Sequence, residues 1–307
     1  MASLDVRRLL IFREVARAGS ISAAARNLGW TQPAVSQHLR ALERQTGVAL
    51  LLRGAGGVEL TEPGRVLLER AEAVAGQLHM AEEELAHLTD LRRGRVRLAA
   101  YPSGAATLVP PALAALREQH PEVDVSLAEA EPPEAVALLR AGEVDVALVF
   151  GYDDDATSQG APGPGLVWRR LGREPVDLVL PAEHPLSRRR SVPVAALAPE
   201  PWVVGCERCR AHALAVCEAA GFEPEVRHVT DDYVVVQNLV AVGLGVALLP
   251  RSALTAFRHP AVQVRPGRGY GARVLGLLHR EGAERVPATS ALVAGLIVQG
   301  RGAGPSA

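Results

Sequence analysis

The chain has 307 residues, 48% apolar and 22% charged, with a net charge of −1. Such a chain has room for about two domains, and its composition excludes a disordered chain; three cysteines make no disulfide scaffold, and no apolar run nears the roughly 18 residues that span a bilayer. All 33 basic residues are arginine, and residues 1–65 hold nine of them against five Asp plus Glu, so the rest of the chain is at −5 and only the N-terminal part suits a polyanion.

Leu9, Phe12 and Val15/Ala16 recur at three- and four-residue spacing, predicting a first helix that stops at Gly19. Ser22 reads as the N-cap of a short Ala-rich helix over 23–28, ended by Gly29. Thr31 then caps a third helix, with Pro33 in its first turn, that runs to about Gln45 ahead of Gly47. Val35, Leu39 and Leu42 form its apolar stripe, and Gln32, Ser36, Gln37 and Arg40 make the opposite, polar face. This is the pattern of a helix-turn-helix, whose last helix sets polar side chains against base edges in the major groove. Gln suits adenine, Ser suits either class of base, and the backbone amides at the Ser22 and Thr31 caps suit phosphates. From periodicity alone, a small helical bundle with an idle polar face is the alternative.

Apolar segments at 49–53 and 58–61 flank a Gly-Ala-Gly-Gly turn at 54–57 and predict a β-hairpin wing, with Arg53 placed for a phosphate or the minor groove. Glu62-Pro63-Gly64 opens a long helix. Leu67, Ala71, Val74, Leu78, Ala81, Leu85 and Leu88 follow at 4-3-4-3-4-3 spacing, an a/d seam suited to a partner helix. A symmetric dimer would present two reading heads to a pseudo-palindromic site on double-stranded DNA.

The stretches Ala23-Ala24-Ala25, Thr31-Gln32-Pro33-Ala34-Val35-Ser36, Leu39, Leu42-Glu43, Gly47-Val48, Leu50, Arg53 and Leu60-Thr61-Glu62-Pro63-Gly64 resemble, in order and spacing, the LysR-type transcriptional regulators of bacteria. Leu51 stands where that family usually has Phe, and residues 54–57 bring no basic side chain to the wing. The resemblance implies that Gln32, Pro33, Ser36, Gln37 and Arg53 touch DNA. It also implies a tetramer built as a dimer of dimers, with RNA polymerase as a candidate partner.

Beyond residue 94 strand-like and helix-like segments alternate. Strands are predicted at 95–100, 123–129, 144–149, 176–181, 202–205, 225–229 and 245–249, and helices near 104–119, 133–141, 209–220, 231–242 and 287–298. The alternation implies an α/β architecture with mainly parallel pairing, and the Asp-, Gly- and Pro-rich stretch 151–165 reads as a loop. Ligands of open α/β sheets sit beyond the carboxyl ends of strands, which selects Ser103, Gly104, Thr107, Phe150, Gly151, Cys206, Arg208, Thr230, Asp231 and Tyr233. Ser103 and Thr107 at a helix start favour a small anion, and Arg208 would grip a carboxylate; Asp231 and Asp232 would instead repel an anion or select an amine. Each is equally readable as a turn or cap residue.

Gly142-Glu143-Val144-Asp145-Val146-Ala147-Leu148, His184-Pro185-Leu186 and Gly243-Leu244-Gly245-Val246-Ala247-Leu248-Leu249-Pro250 resemble the effector domain of the same family. The expected fold is therefore α/β with an N-terminal all-α winged helix-turn-helix, a long linker helix and a two-lobed, periplasmic-binding-protein-like α/β effector domain. The expected divisions are 1–65, 66–93 and 94–307, with lobes at 94–165 plus 268–299 and at 166–267. A small-molecule effector, a carboxylate being one candidate, would bind in the cleft and shift the DNA heads.

Cys206, Cys209 and His212 are one ligand short of a closed zinc site. If the helix begins near Cys209, Cys217 lies about 12 Å further along it, so no metal and no cofactor are expected. A C-x-x-C pair at a helix start beside Arg208 and Arg210 should have depressed thiol pKa values, which makes a redox-sensing Cys206/Cys209 pair an alternative to plain structural cysteines. An α/β enzyme is the remaining alternative, but no G-x-S-x-G elbow, Walker A loop or strand-following G-x-G-x-x-G occurs. Without a signal peptide or membrane segment, the expected location is cytoplasmic.

Overall fold

The structure is a computed structural model that describes residues 4–54, 57–88, 94–152, 163–267 and 269–302. Its chain contacts divide into two compact units, an N-terminal one through Leu85 and a larger one that holds most of the rest.

The first unit is built by three short helices, α1 (Val6–Ala18), α2 (Ile21–Leu28) and α3 (Gln32–Thr46). Each stops at a glycine in the left-handed conformation, Gly19, Gly29 and Gly47 respectively. Asp5 caps α1 by accepting from the Arg7 and Arg8 amides. The cap of α2 is Ser20 and not Ser22: the Ser20 hydroxyl accepts from the Ala23 amide at 3.0 Å, so the helix begins earlier and Ser22 lies exposed in its first turn. Thr31 does occupy the N-cap of α3, but its side chain makes no capping bond. Phe12, Val15, Ala24, Val35, Leu39 and Leu42 close a common core.

Strands β1 (Leu51–Gly54) and β2 (Gly57–Leu60) then pair antiparallel, with Gly54 opposite Gly57. Glu43 of α3 ties this hairpin down by accepting from the Leu50 amide at 2.9 Å. Gly57 has φ +124°, and a Cβ there would come within 2.4 Å of the Gly19 carbonyl oxygen, so the wing passes that turn only as glycine. Helix α4 (Glu62–Leu88) starts where the Thr61 hydroxyl accepts from the Gly64 amide at 3.0 Å. Arg13 of α1 grips Glu72 of α4 at 2.6 Å.

In the second unit the order is β3 (Arg95–Ala100), α5 (Pro102–Thr107), α6 (Val109–Gln119), β4 (Asp124–Glu129), α7 (Pro132–Ala141), β5 (Val146–Tyr152) and β6 (Leu166–Pro181). There follow β7 (Pro201–Val204), α8 (Glu207–Ala219), β8 (Glu225–Val229), α9 (Tyr233–Ala241), β9 (Ala247–Pro250), α10 (Arg251–Ala256), β10 (Val262–Arg265), β11 (Ala272–Arg280) and α11 (Pro287–Gly302). The helix expected over 104–119 is two helices, α5 and α6, broken at Leu108. Strands β10 and β11 are additions to the sequence reading, and Gly151, expected to open a loop, lies inside β5; residues 153–162 of that stretch fall outside the described residues.

The expectation of mainly parallel pairing is corrected. β3 pairs parallel with β4 and β5, and β7 with β8, but β11 runs antiparallel to β5 and β6, and β6 antiparallel to β9 and β10. The cause is β6, whose 16 residues serve two pairings: 166–175 lie beside β11, and 176–181 beside β9 and β10. An expected lobe boundary at 165/166 would assign this shared strand to one lobe alone. The first lobe packs α6 and α11 on one face of its sheet and α7 on the other. The second packs α8 around Trp202 on one side and α9 on the other.

One buried ion cluster knits the first lobe. Asp145 accepts from the Arg97 amide at 2.9 Å and the Arg97 guanidinium at 2.8 Å, and from Arg280 at 3.1 Å. Arg280 also donates to the Leu139 and Val144 carbonyls at 2.8 Å. Burial by itself pushes the Asp145 carboxyl up, but the bonds from Arg97 and the charge of Arg280 outweigh it and hold its pKa below the ordinary value. That stabilisation is therefore complete above the unfolded carboxylate pKa of about 3.9, and is lost as pH falls through the lower folded one. Asp145→Asn should cost about 3–5 kcal/mol at neutral pH, since it removes the carboxylate that the buried Arg280 and the half-buried Arg97 share. In urea titrations the gap from the parent chain should narrow on acidification through that window; a gap independent of pH would contradict the assignment.

Candidate functional site

Two regions collect the residues that the sequence singled out. In the first unit α3 divides cleanly along its length: Val35, Leu39 and Leu42 are buried, whereas Thr31, Gln32, Pro33, Gln37 and Arg40 are exposed. Ser36 is the exception to the expected polar face. It is buried beneath its neighbours, its hydroxyl accepting from the Gln32 amide at 3.3 Å and its carbonyl from Arg40 Nε at 3.3 Å. Ser36 thus holds the two residues one turn to either side of it. Arg53 lies in β1 opposite Val58; its side chain is outside the described residues.

The seam of α4 also divides. Ala71 is fully buried and Leu67 packs against the head's own core, with Val74 half-buried. Ala81 is exposed, and Leu78 and Leu85 are 43% and 63% exposed. The side chain of Leu88 is outside the described residues.

The second region is a recess, partly open to solvent, between the two lobes of the larger unit. Of the residues expected there, Ser103, Phe150, Cys206, Thr230, Asp231 and Tyr233 line it, and Gly104, Thr107, Gly151 and Arg208 do not. Gly104 is buried against the Tyr101 ring, where a Cβ would come within 2.7 Å of Cζ. Thr107 spends its hydroxyl on the Ser103 carbonyl at 2.6 Å, and Gly151 pairs with Val274 in the sheet.

The groups that dominate the recess are ones the sequence reading passed over: Arg273, Tyr101 and Glu131 in its lining, and Glu174 paired with Arg273. Arg273 of β11 and Glu174 of β6 face one another across adjacent strands, 2% and 4% exposed. Arg273 Nε donates to Glu174 at 2.9 Å, its NH2 forms the closest contact of the pair, and that NH2 also donates to Ser103 at 2.9 Å and Ser252 at 3.2 Å. The guanidinium lies 4.1 Å from the Phe150 ring centroid and 5.1 Å from that of Tyr101. Burial opposes its charge, but the Glu174 carboxylate prevails and keeps Arg273 firmly protonated. Tyr101 is 1% exposed, and its hydroxyl has no hydrogen-bond partner. Glu131 Oε2 is likewise buried without one, and burial pushes the Glu131 carboxyl up. Strand-end logic applied to β4 would have found Glu131; nothing local marks Arg273 or Glu174.

Helix α8 starts at Glu207, two residues before the expected start, with Cys206 as its N-cap. Cys206 Sγ donates to Cys209 Sγ at 3.0 Å, and both are free thiols. The pair does not behave as two depressed thiols. The hydrogen bond to Cys209 and burial push Cys206 up, while the bond from Cys206, the Arg273 charge and a bond from Tyr152 bring Cys209 down despite burial. The ring of His212 stacks on Tyr152 at 3.8 Å and its Nε2 meets the Tyr270 carbonyl at 2.7 Å. Cys217 is buried elsewhere, its thiol pushed up to about 11.

Comparison with known proteins places both regions. Residues 6–65 match the bacterial regulatory helix-turn-helix protein, lysR family, and residues 89–297 match the LysR substrate binding domain. The chain is 31% identical over 252 residues, 81% of each chain, to the HTH-type transcriptional regulator TtuA of Agrobacterium vitis. It is 33% identical over 277 residues, 86% of this chain and 85% of the relative, to a probable hydrogen peroxide-inducible genes activator of Mycobacterium avium. Full-length CbnR, solved with its target DNA, shares the fold with a TM-score of 0.57 at 23% identity, over 96% of this chain and 99% of that one. The expected two-part architecture, a winged helix-turn-helix head and a two-lobed α/β effector domain, is thus the architecture of these proteins. No helix among the described residues is long and apolar enough to cross a membrane. The chain belongs to the LysR family of DNA-binding transcriptional regulators.

Proposed function

We propose that this regulator reads a pseudo-palindromic promoter site as a dimer, and that a small molecule held in the recess controls the reading. The observation that carries the first half is the division of α3: a buried stripe fixes the helix, and Gln32, Gln37 and Arg40 are exposed on its outer face. Such side chains are the length and chemistry that reach base edges and phosphates in the major groove. Residues 1–65 act as the head, 66–93 as the linker and 94–307 as the effector part. The exposed Leu78 and Leu85 are the surface that a second α4 would cover. An enzymatic role has no motif to support it, and the relatives are transcriptional regulators.

In gel retardation with DNA from upstream of its own gene, Gln32→Ala or Gln37→Ala should weaken the specific complex by about 1–3 kcal/mol per lost base contact, with less effect on non-specific DNA. Equal losses on both DNAs, or no retardation by the parent chain at low salt, would sink the base-reading role.

A second reading rests on the 3.0 Å approach of Cys206 and Cys209. The Cys209 thiolate would take one oxygen from a hydroperoxide, releasing an alcohol or water; the Cys206 thiol would then displace water from that sulfenic acid to close a disulfide. A relative named for induction by hydrogen peroxide lends it support. Mild hydroperoxide should remove two hydrogens from the pair, reversibly with dithiothreitol and not in Cys209→Ser, as read by mass spectrometry. An unchanged thiol count would rule this reading out.

A further inference from the structure

The chemistry of the recess points to one class of effector, an inference that rests on the recess being the effector site. The positive charge within its walls is already committed. Arg273, the only arginine lining the recess among the described residues, is held by Glu174, Ser103 and Ser252. A carboxylate entering here would have to compete with Glu174 for a guanidinium that is already neutralised, and it would approach two other acids. Ser103, the anion-binding candidate of the sequence reading, accepts from the same guanidinium.

What the recess leaves open is acceptor capacity. Glu131 Oε2 is buried with no hydrogen-bond partner, and Asp231 lies at the exposed mouth, near enough for its charge to act on Glu131. The deeply buried Tyr101 hydroxyl, also without a partner, gives a third oxygen on the same wall. Asp232 is excluded from this set because it is occupied as the N-cap of α9, accepting from the Val234 amide at 2.7 Å. The rest of the lining is mainly apolar, with Phe150, Val236, Leu249 and Ala253 prominent. Buried polar atoms left without partners cost stability, and a donor that reaches them recovers it.

We infer that the recess takes a small amphiphilic amine, its ammonium on Glu131 and Asp231 with the Tyr101 oxygen beside it, and its apolar body against Phe150, Val236, Leu249 and Ala253. The ammonium supplies the donor that Glu131 Oε2 and the Tyr101 oxygen lack, and the apolar body covers the apolar lining.

Calorimetry and thermal shift on the full chain, with hexylamine and phenethylamine set against hexanoate, phenylpropanoate and phenethyl alcohol, test this. The amines should bind and raise Tm, and Glu131→Gln should raise their Kd by about tenfold or more, the scale of one lost charge-assisted hydrogen bond. Asp231→Asn, at the mouth and exposed, should weaken them in the same direction without depending on a buried substitution. Binding of the carboxylates or the alcohol in preference to the amines, or amine binding indifferent to both substitutions, would overturn the amine class while leaving the recess as an effector site. Failure of every compound, whatever its charge, to bind would count against the effector site itself.

Discussion

The larger unit depends on the buried pair Arg273–Glu174. Taking two charges out of water is costly, and such a pair holds only where its remaining donors and acceptors are met. Here they are met from both lobes. Ser103 comes from the start of α5 beside β3, Ser252 from the start of α10 beyond β9, and the rings of Phe150 and Tyr101 cover the guanidinium. Of the two strands that carry the pair, β6 runs through both lobes and β11 lies beside its first half. One interaction therefore joins strands β6 and β11, the recess and the starts of α5 and α10.

That arrangement has a chemical consequence for the recess. A cation in a cleft invites an anion, but a cation already matched by a carboxylate does not. The acids that remain, Glu131 and Asp231, then set the character of the site, and the unpartnered Tyr101 hydroxyl sharpens it. The same cluster influences the cysteines: Arg273 helps to lower Cys209, and Cys206 sits against Glu131. Oxidation of the pair and occupation of the recess would act on adjoining groups, so either event would be felt by the same walls.

The head was legible in the sequence because its determinants are local. Left-handed glycines end each short helix, apolar residues repeat at helical spacing, and Glu62-Pro63-Gly64 opens α4 as its composition suggests. The errors there are equally local: Ser20 and Ser22 are two candidate caps two residues apart, and only Ser20 reaches the Ala23 amide. Ser36 reads as polar and outward, yet its small side chain fits under Gln32. The a/d seam of α4 was visible as a period, but period alone cannot say that Ala71 faces the head and Leu85 faces solvent. In the larger unit, strand-end logic found six recess residues and missed those whose role depends on pairing. Arg273 lies 99 positions from Glu174 and 170 from Ser103, and its strand, β11, has no local signature that announces its antiparallel place between β5 and β6. Arg280 and Asp145, 135 positions apart, are another such pair.

The central claim is that Arg273 and Glu174 act as one unit, and a double-mutant cycle tests it most directly. Arg273→Met, Glu174→Gln and the double variant would be unfolded in urea alongside the parent chain. Each single change should cost about 3–5 kcal/mol because it leaves a buried charge or its partners unmatched. The double variant should lose clearly less than the sum, since neither charge is then stranded. Additive losses would show that the two residues act separately and would contradict the account.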